Sequence, residues 1–121
     1  MWRKISVCIR WWYNDVYTLP LTNGFNPDER SDHFKKHGKD FNARTEFEYE
    51  FKADRFLGAV KKPTMLDCVR QRGGDTLRFN PSTDEFGIIS PKREIKTYFK
   101  PSPQIHNQGT NLDYFRKRCA N

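Results

Sequence analysis

Two of the chain's three histidines sit four residues apart, in the run His33-Phe34-Lys35-Lys36-His37-Gly38. An unperturbed imidazole has a pKa of about 6.5, so it can take or give a proton near neutrality. Lysine and arginine instead hold phosphate oxygens by charge and by multiple N–H donors. On a helix, a spacing of four places His33 and His37 on one face, with Lys36 beside them. Further along, Arg78 falls in one alternating stretch, and Lys96, Tyr98 and Lys100 recur at every second position in another. Alternation puts each set on one side of a strand. An imidazole brought against such cations could move protons at a phosphodiester while the cations steady its charge. The plain alternative is a solvated helix histidine and a solvated outer sheet face, which many antiparallel sheets have. His106 lies in a Pro/Asn/Gln-rich loop and is assigned no role.

The elements that would position these groups can be read from punctuation and period. Asn26-Pro27-Asp28-Glu29 reads as a helix start, running to about His37 with Gly38 at its end. Thr45 caps a second helix with Glu46 and Glu48 in its first turn; Tyr49, Ala53 and Phe56 mark its apolar face, Gly58 ends it, and Pro63 prevents a restart. The period then changes to two. Strands are expected over 65–70, Thr76–Asn80, 85–90 and 95–100, separated by Gly73-Gly74-Asp75, Pro81-Ser82-Thr83-Asp84 and a turn at 91–94. Short strands with tight turns form an antiparallel meander. A short amphipathic stretch, Leu112–Cys119, ends in basic residues. Near the N-terminus, Ile5, Val7 and Ile9 suit a short strand.

The expected fold is therefore α+β, with N-terminal helices packed on a four- to five-stranded antiparallel sheet. Residues 1–25 read as an N-terminal segment or junction and 26–121 as a single domain. Leu77, Phe79, Phe86, Ile88, Ile95 and Phe99 are expected under the helices. Arg78, Asn80, Lys96, Tyr98 and Lys100 would then form an open, basic, aromatic face able to hold a phosphate backbone and stack a base.

Ten Phe and 15% aromatic residues argue for a packed core despite 31% charged residues. The net charge is +7, of which residues 1–58 carry +1 and residues 59–121 carry +6. A patch of that kind attracts a polyanion by counterion release and steering. Cys8, Cys68 and Cys119 are widely spaced without a CxxC pattern, which speaks against structural zinc and leaves one disulfide open. No paired carboxylates stand near a histidine in a coordinating pattern, so a metal-dependent nuclease is disfavoured. No stretch is long and apolar enough for a signal peptide core or a membrane span.

Three segments carry a family resemblance: Gly74-Asp75-Thr76-Leu77-Arg78-Phe79-Asn80-Pro81, Asp84-Glu85-Phe86-Gly87-Ile88, and Ile95-Lys96-Thr97-Tyr98-Phe99-Lys100-Pro101. Upstream, His33-Phe34-Lys35-Lys36-His37-Gly38-Lys39-Asp40-Phe41 matches as well, with Glu48-Tyr49 and Ala53 after it. Together, over roughly residues 30–101, they resemble the C-terminal nuclease domains of contact-dependent inhibition and related polymorphic toxins. That group is similar to barnase, EndoU, colicin D and RelE ribonucleases. One departure is Asn42, where the family usually has glycine after the phenylalanine.

The resemblance implies an endoribonuclease that needs no metal or cofactor, because the RNA's own 2′-hydroxyl attacks the adjacent phosphate. It implies His37 as acid or base, with Lys36, Arg78, Thr97, Tyr98 and Lys100 as catalytic partners and His33 as a further candidate. Lys96, Arg93 and Arg70 are expected to bind RNA. Thr97 conflicts with strict alternation, which puts it beside Ile95 and Phe99 unless a bulge near Pro101 re-aims the strand. The implied substrate is tRNA in the cytoplasm of a target bacterium, reached by delivery from a secreted or surface toxin. The implied state is a monomer that meets an acidic immunity protein. Two other readings fit the same basic surface: a non-catalytic RNA-binding module, and a basic interaction domain.

Overall fold

The computed structural model of the chain describes residues 19–121. The expected strand at Ile5–Ile9, and Cys8 with it, lie outside the described residues. Asn26 opens the first helix because its side-chain oxygen accepts from the Asp28 N–H at 3.0 Å, and Pro27 loses nothing where an N–H has no helical partner. This helix, α1, spans Pro27–His37. Gly38 follows with an ordinary right-handed φ of −57°. What it supplies is room, since a Cβ there would lie 2.7 Å from the Phe34 ring. A 3-10 turn, Gly38–Phe41, carries the chain to Asn42, which holds the left-handed conformation (φ 55°) and donates its N–H to Gly38 and Lys39. Asparagine enters that region at low cost, so the departure from glycine keeps the backbone shape.

Helix α2, Glu46–Gly58, is capped by Thr45 accepting from the Glu48 N–H. It buries the expected Tyr49, Ala53 and Phe56, and Leu57 with them. It also buries two carboxylates completely, Glu50 and Asp54. These receive the backbone of the preceding strap: Leu21 and Thr22 N–H donate to Asp54, and Phe25 N–H donates to Glu50 at 3.0 Å. Buried charge is tolerated only with such partners. Phe25 is thereby seated in the core and bridges in parallel to Ile95. The strap lies on the N-terminal side of the boundary drawn at residue 25.

The meander is β1 (Leu66–Val69), β2 (Thr76–Asn80), β3 (Glu85–Ile89) and β4 (Ile95–Phe99), paired antiparallel in that order. A short helix, α3 (Pro103–His106), and a capped one, α4 (Asn111–Ala120), follow. The architecture is α+β as expected, with four helices and four strands among the described residues.

The sheet has no open basic face, and this corrects the expectation. Leu77, Phe79, Phe86 and Ile88 do share a side, but α4 covers it through Phe115, Leu112 and Tyr114. The N-terminal helices cover the other side, over Ile89, Ile95 and Tyr98. Arg78, Asn80 and Tyr98 are consequently buried. The pairing jumps from Ile88↔Thr97 to Ile89↔Ile95, so Lys96 is an extra residue. A bulge therefore exists, but it turns Ile95 toward the N-terminal helices and leaves Thr97 on the side of Phe99. Cys68 and Cys119 are joined, which ties β1 to the end of α4.

Candidate functional site

The last turn of α1, the end of β4 and the chain after it enclose a cleft of about 380 Å³. Lys36, His37 and Asp40 line one side; Lys100 and Ser102 line the other, with His106 and Tyr114. Beyond β4, Pro101, Ser102 and His106 at the end of α3 line the same cleft as the last turn of α1. His37 stacks on Phe99 with ring centroids 5.0 Å apart. It makes no side-chain hydrogen bond to a described residue, so its nitrogens are available to a ligand. Burial lowers its pKa below 6.5, His33 and Lys36 lower it further, and Asp40 opposes them. Neutral at pH 7, His37 is suited to accept a proton.

His106, which the sequence assigned no role, also faces the cleft. Its Nδ1 accepts from the Gln108 N–H at 3.1 Å, so in the neutral ring Nε2 donates to Asn111 Oδ1 at 2.9 Å. Asn111 Nδ2 donates in turn to Asp84 at 3.1 Å. Both imidazole nitrogens are thus engaged, and the ring serves as a platform for Tyr114, 4.6 Å away. Arg118 Nη1 donates to the Tyr114 hydroxyl oxygen at 2.6 Å, which leaves the phenol proton free to point elsewhere.

Of the sequence-expected residues, Lys36, His37 and Lys100 share this cleft; Arg78, Thr97, Tyr98, Lys96, Arg93, Arg70 and His33 do not line it. Arg78 is 7% exposed. It grips Asp67 through Nε and Nη2 at 2.8 and 2.9 Å, and caps the end of α2 through Nη1 to the Phe56 and Ala59 carbonyls. Tyr98 donates its hydroxyl to Glu85 at 2.5 Å and accepts from Tyr49 at its own carbonyl. Burial and the Glu85 bond push its pKa well above the usual phenol value. Thr97 is half-buried on the α4 side of the sheet. Lys96 pairs with Asp75 at 2.9 Å, Arg93 donates to the Leu21 carbonyl, and Arg70 donates to the Arg118 carbonyl. His33 stacks on Phe25 at 5.3 Å, and its Nδ1 is buried without a hydrogen-bond partner among the described residues.

Among the described residues, no three or more of His, Cys, Asp and Glu gather in a way that could hold a metal ion. None of the described helices is long and apolar enough to cross a membrane.

No protein-family model matches the chain, and no curated protein matches it significantly. Among solved structures it is similar to one described as a ribonuclease from Escherichia coli complexed with its inhibitor protein. The identity is 22% and the TM-score 0.45, over 64% of this chain and 88% of that one. A likeness of that size transfers no residue role and no activity.

Proposed function

We propose that the chain is an endoribonuclease that cuts RNA through the RNA's own 2′-hydroxyl. The observation that carries this reading is the placement of His37, with its pKa lowered, on one cleft with Lys36 and Lys100. His37 takes the proton from the 2′-oxygen, which attacks the neighbouring phosphorus. The bond to the 5′-oxygen breaks, leaving a 2′,3′-cyclic phosphate on one fragment. The Tyr114 phenol gives its proton to the departing 5′-oxygen. Lys36 and Lys100 balance the charge on the crowded phosphorane. Proton transfer and charge stabilisation suffice for this reaction, and no metal takes part in it.

The finer reading extends from the resemblance carried by residues 33–41 and 74–101. The substrate is tRNA, and the domain is a toxin that a secreted or surface protein brings into the cytoplasm of a competing bacterium. Its +7 charge calls for an acidic immunity protein in the producer. Expression of the domain should arrest growth, and a small acidic protein encoded beside it should restore growth; arrest that no acidic partner relieves would remove the immunity claim. The test of the chemistry is incubation with total tRNA in EDTA. Discrete fragments with cyclic phosphate ends are expected. His37→Ala should slow their formation by about 10²–10⁴-fold, the usual worth of a general acid or base. RNA left intact by the parent protein from pH 5 to pH 9 would overturn the proposal.

A further inference from the structure

Tyr114 and Arg118 stand four residues apart on α4 and so meet on one face of the helix. Tyr114 lines the His37 cleft and Arg118 does not. Three rings hold the phenol: His106 stacks on it at 4.6 Å, and Phe86 and Phe99 meet it edge-on at 5.5 and 6.3 Å. The Arg118 guanidinium lies 5.5 Å over the Tyr114 ring and 5.7 Å over that of Phe86. Its Nη1 donates to the Tyr114 hydroxyl oxygen at 2.6 Å. Arg118 is half-buried, yet no carboxylate of a described residue pairs with it. A cation drawn partly out of water normally has an anion beside it. Here the side-chain partner is a neutral phenol.

We infer that Arg118 is a positioning residue, acting through Tyr114 on the departing 5′-oxygen. This rests on the nuclease reading of the His37 cleft. The guanidinium occupies a lone pair of the phenol oxygen and cannot accept a hydrogen bond, so the phenol proton is turned away from it. As the bond between phosphorus and the 5′-oxygen breaks, its electron pair stays on that oxygen, and the phenol proton moves there. A phenoxide is left, and it later takes a proton back from water. The hydrogen bond from Arg118 then joins a cation to an anion, and such bonds are roughly twice as strong as neutral ones. Arg118 therefore gains most of its interaction as the proton leaves, and only an interaction that strengthens in this way speeds a reaction. A device that merely fastened α4 would serve as well beside a phenylalanine, because the stem would still pack on Phe86.

The test uses the full chain and compares the parent with Arg118→Met, which keeps the stem over Phe86, with Arg118→Lys, with Tyr114→Phe, and with the double variant Tyr114→Phe/Arg118→Met. Circular dichroism checks that each is folded at the assay temperature. Two substrates are cleaved: a dinucleoside monophosphate, whose 5′-oxygen needs a proton, and a nucleoside 3′-(4-nitrophenyl phosphate), whose leaving group departs as an anion. Arg118→Met should lower kcat on the dinucleotide by about 10–100-fold, the usual worth of a hydrogen bond to a charged group, with KM within about twofold. On the nitrophenyl ester its kcat should stay within about threefold of the parent. Arg118→Lys, which can still donate to the phenol oxygen, should recover part of the loss; if the methionine variant does not fold, the lysine variant carries the same comparison with a smaller loss confined to the dinucleotide. Adding Arg118→Met to Tyr114→Phe should cost less than about twofold more, because the group it acts through is gone. Equal losses on both substrates would overturn the inference, and so would a loss that persists beside Phe at 114. A parent protein that cleaves neither substrate would sink the nuclease reading and this inference with it, whereas one that cleaves both without the Arg118 pattern would sink the inference alone.

Discussion

Replacing Arg78 by methionine separates a fold-holding arginine from a catalytic one. The guanidinium makes four hydrogen bonds of 2.8–2.9 Å: two to Asp67 and two to the carbonyls that close α2. Methionine fills most of the volume and removes every donor. Breaking a buried pair by deleting one partner costs about 3–5 kcal/mol. The Asp67 side chain is 27% exposed, so water recovers part of its solvation and the lower end, about 3 kcal/mol, applies. At about 4 °C per kcal/mol for a domain of this size, the Tm should fall by about 12 °C. Arg78→Lys should fall between the two, since a single ammonium cannot span Asp67 and both carbonyls. Thermal unfolding followed by circular dichroism reads the stability, and RNA cleavage at 15 °C, scaled to the folded fraction, reads the chemistry. Cleavage per folded molecule should stay within about threefold, less than 1 kcal/mol of barrier. A Tm within about 2 °C of the parent would refute the structural assignment, and a hundredfold loss of cleavage in folded protein would place Arg78 on the substrate.

His37 has a folded pKa below 6.5. Cleavage should therefore lose its base as pH falls through a value below 6.5, and Lys36→Gln, which removes a neighbouring positive charge, should move that limb to higher pH in a kcat/KM profile. The same shift links to stability: the unfolded histidine charges near pH 6.5 while the folded one stays neutral. The contribution of His37, and of the similarly lowered His33, is full above that pH and declines as pH falls toward the folded values; urea titrations at pH 7 and pH 5 check the sign, and equal midpoints in His37→Ala and parent differences at both would contradict it. Cys68→Ser opens a link between residues 51 apart in sequence and should cost up to about 4 kcal/mol in the chain-entropy picture, seen as a lower urea midpoint. Asn42→Ala should lose about 1 kcal/mol at its left-handed φ, whereas Asn42→Gly should be near neutral in the same assay.

Most of the elements were legible because their signals are local. Asn26, Thr45, Gly58 and the Gly73-Gly74 and Pro81–Asp84 turns bound helices and strands that appear within a residue or two of expectation. Alternation correctly grouped Leu77 with Phe79 and Phe86 with Ile88. It could not say which layer covers which side, because that depends on where Leu112 and Phe115 dock from the far end of the chain. It also misplaced Ile95, since a single extra residue at Lys96 reverses the alternation upstream of it without any glycine to announce it. For the site, the helix-end position of His37 was visible in sequence. The burial of Arg78 was not, because an arginine on a strand reads the same whether it faces water or a carboxylate. His106 and Tyr114 escaped notice because only tertiary packing brings them to the cleft beside His37, an event with no periodicity.

The two layers around the sheet are fastened by different chemistry. Against the N-terminal side stand buried carboxylates with backbone partners, the Arg78 clamp and a dense aromatic core. Against the other stand the side chains of one ten-residue helix, hydrogen bonds from Arg70 to Arg118 and from Asn111 to Asp84, and a sulfur–sulfur link. Thiols thus act on one layer and leave the other as it was. The layer they loosen carries Tyr114, so a reducing compartment would slacken one wall of the cleft while the wall bearing His37 kept its shape.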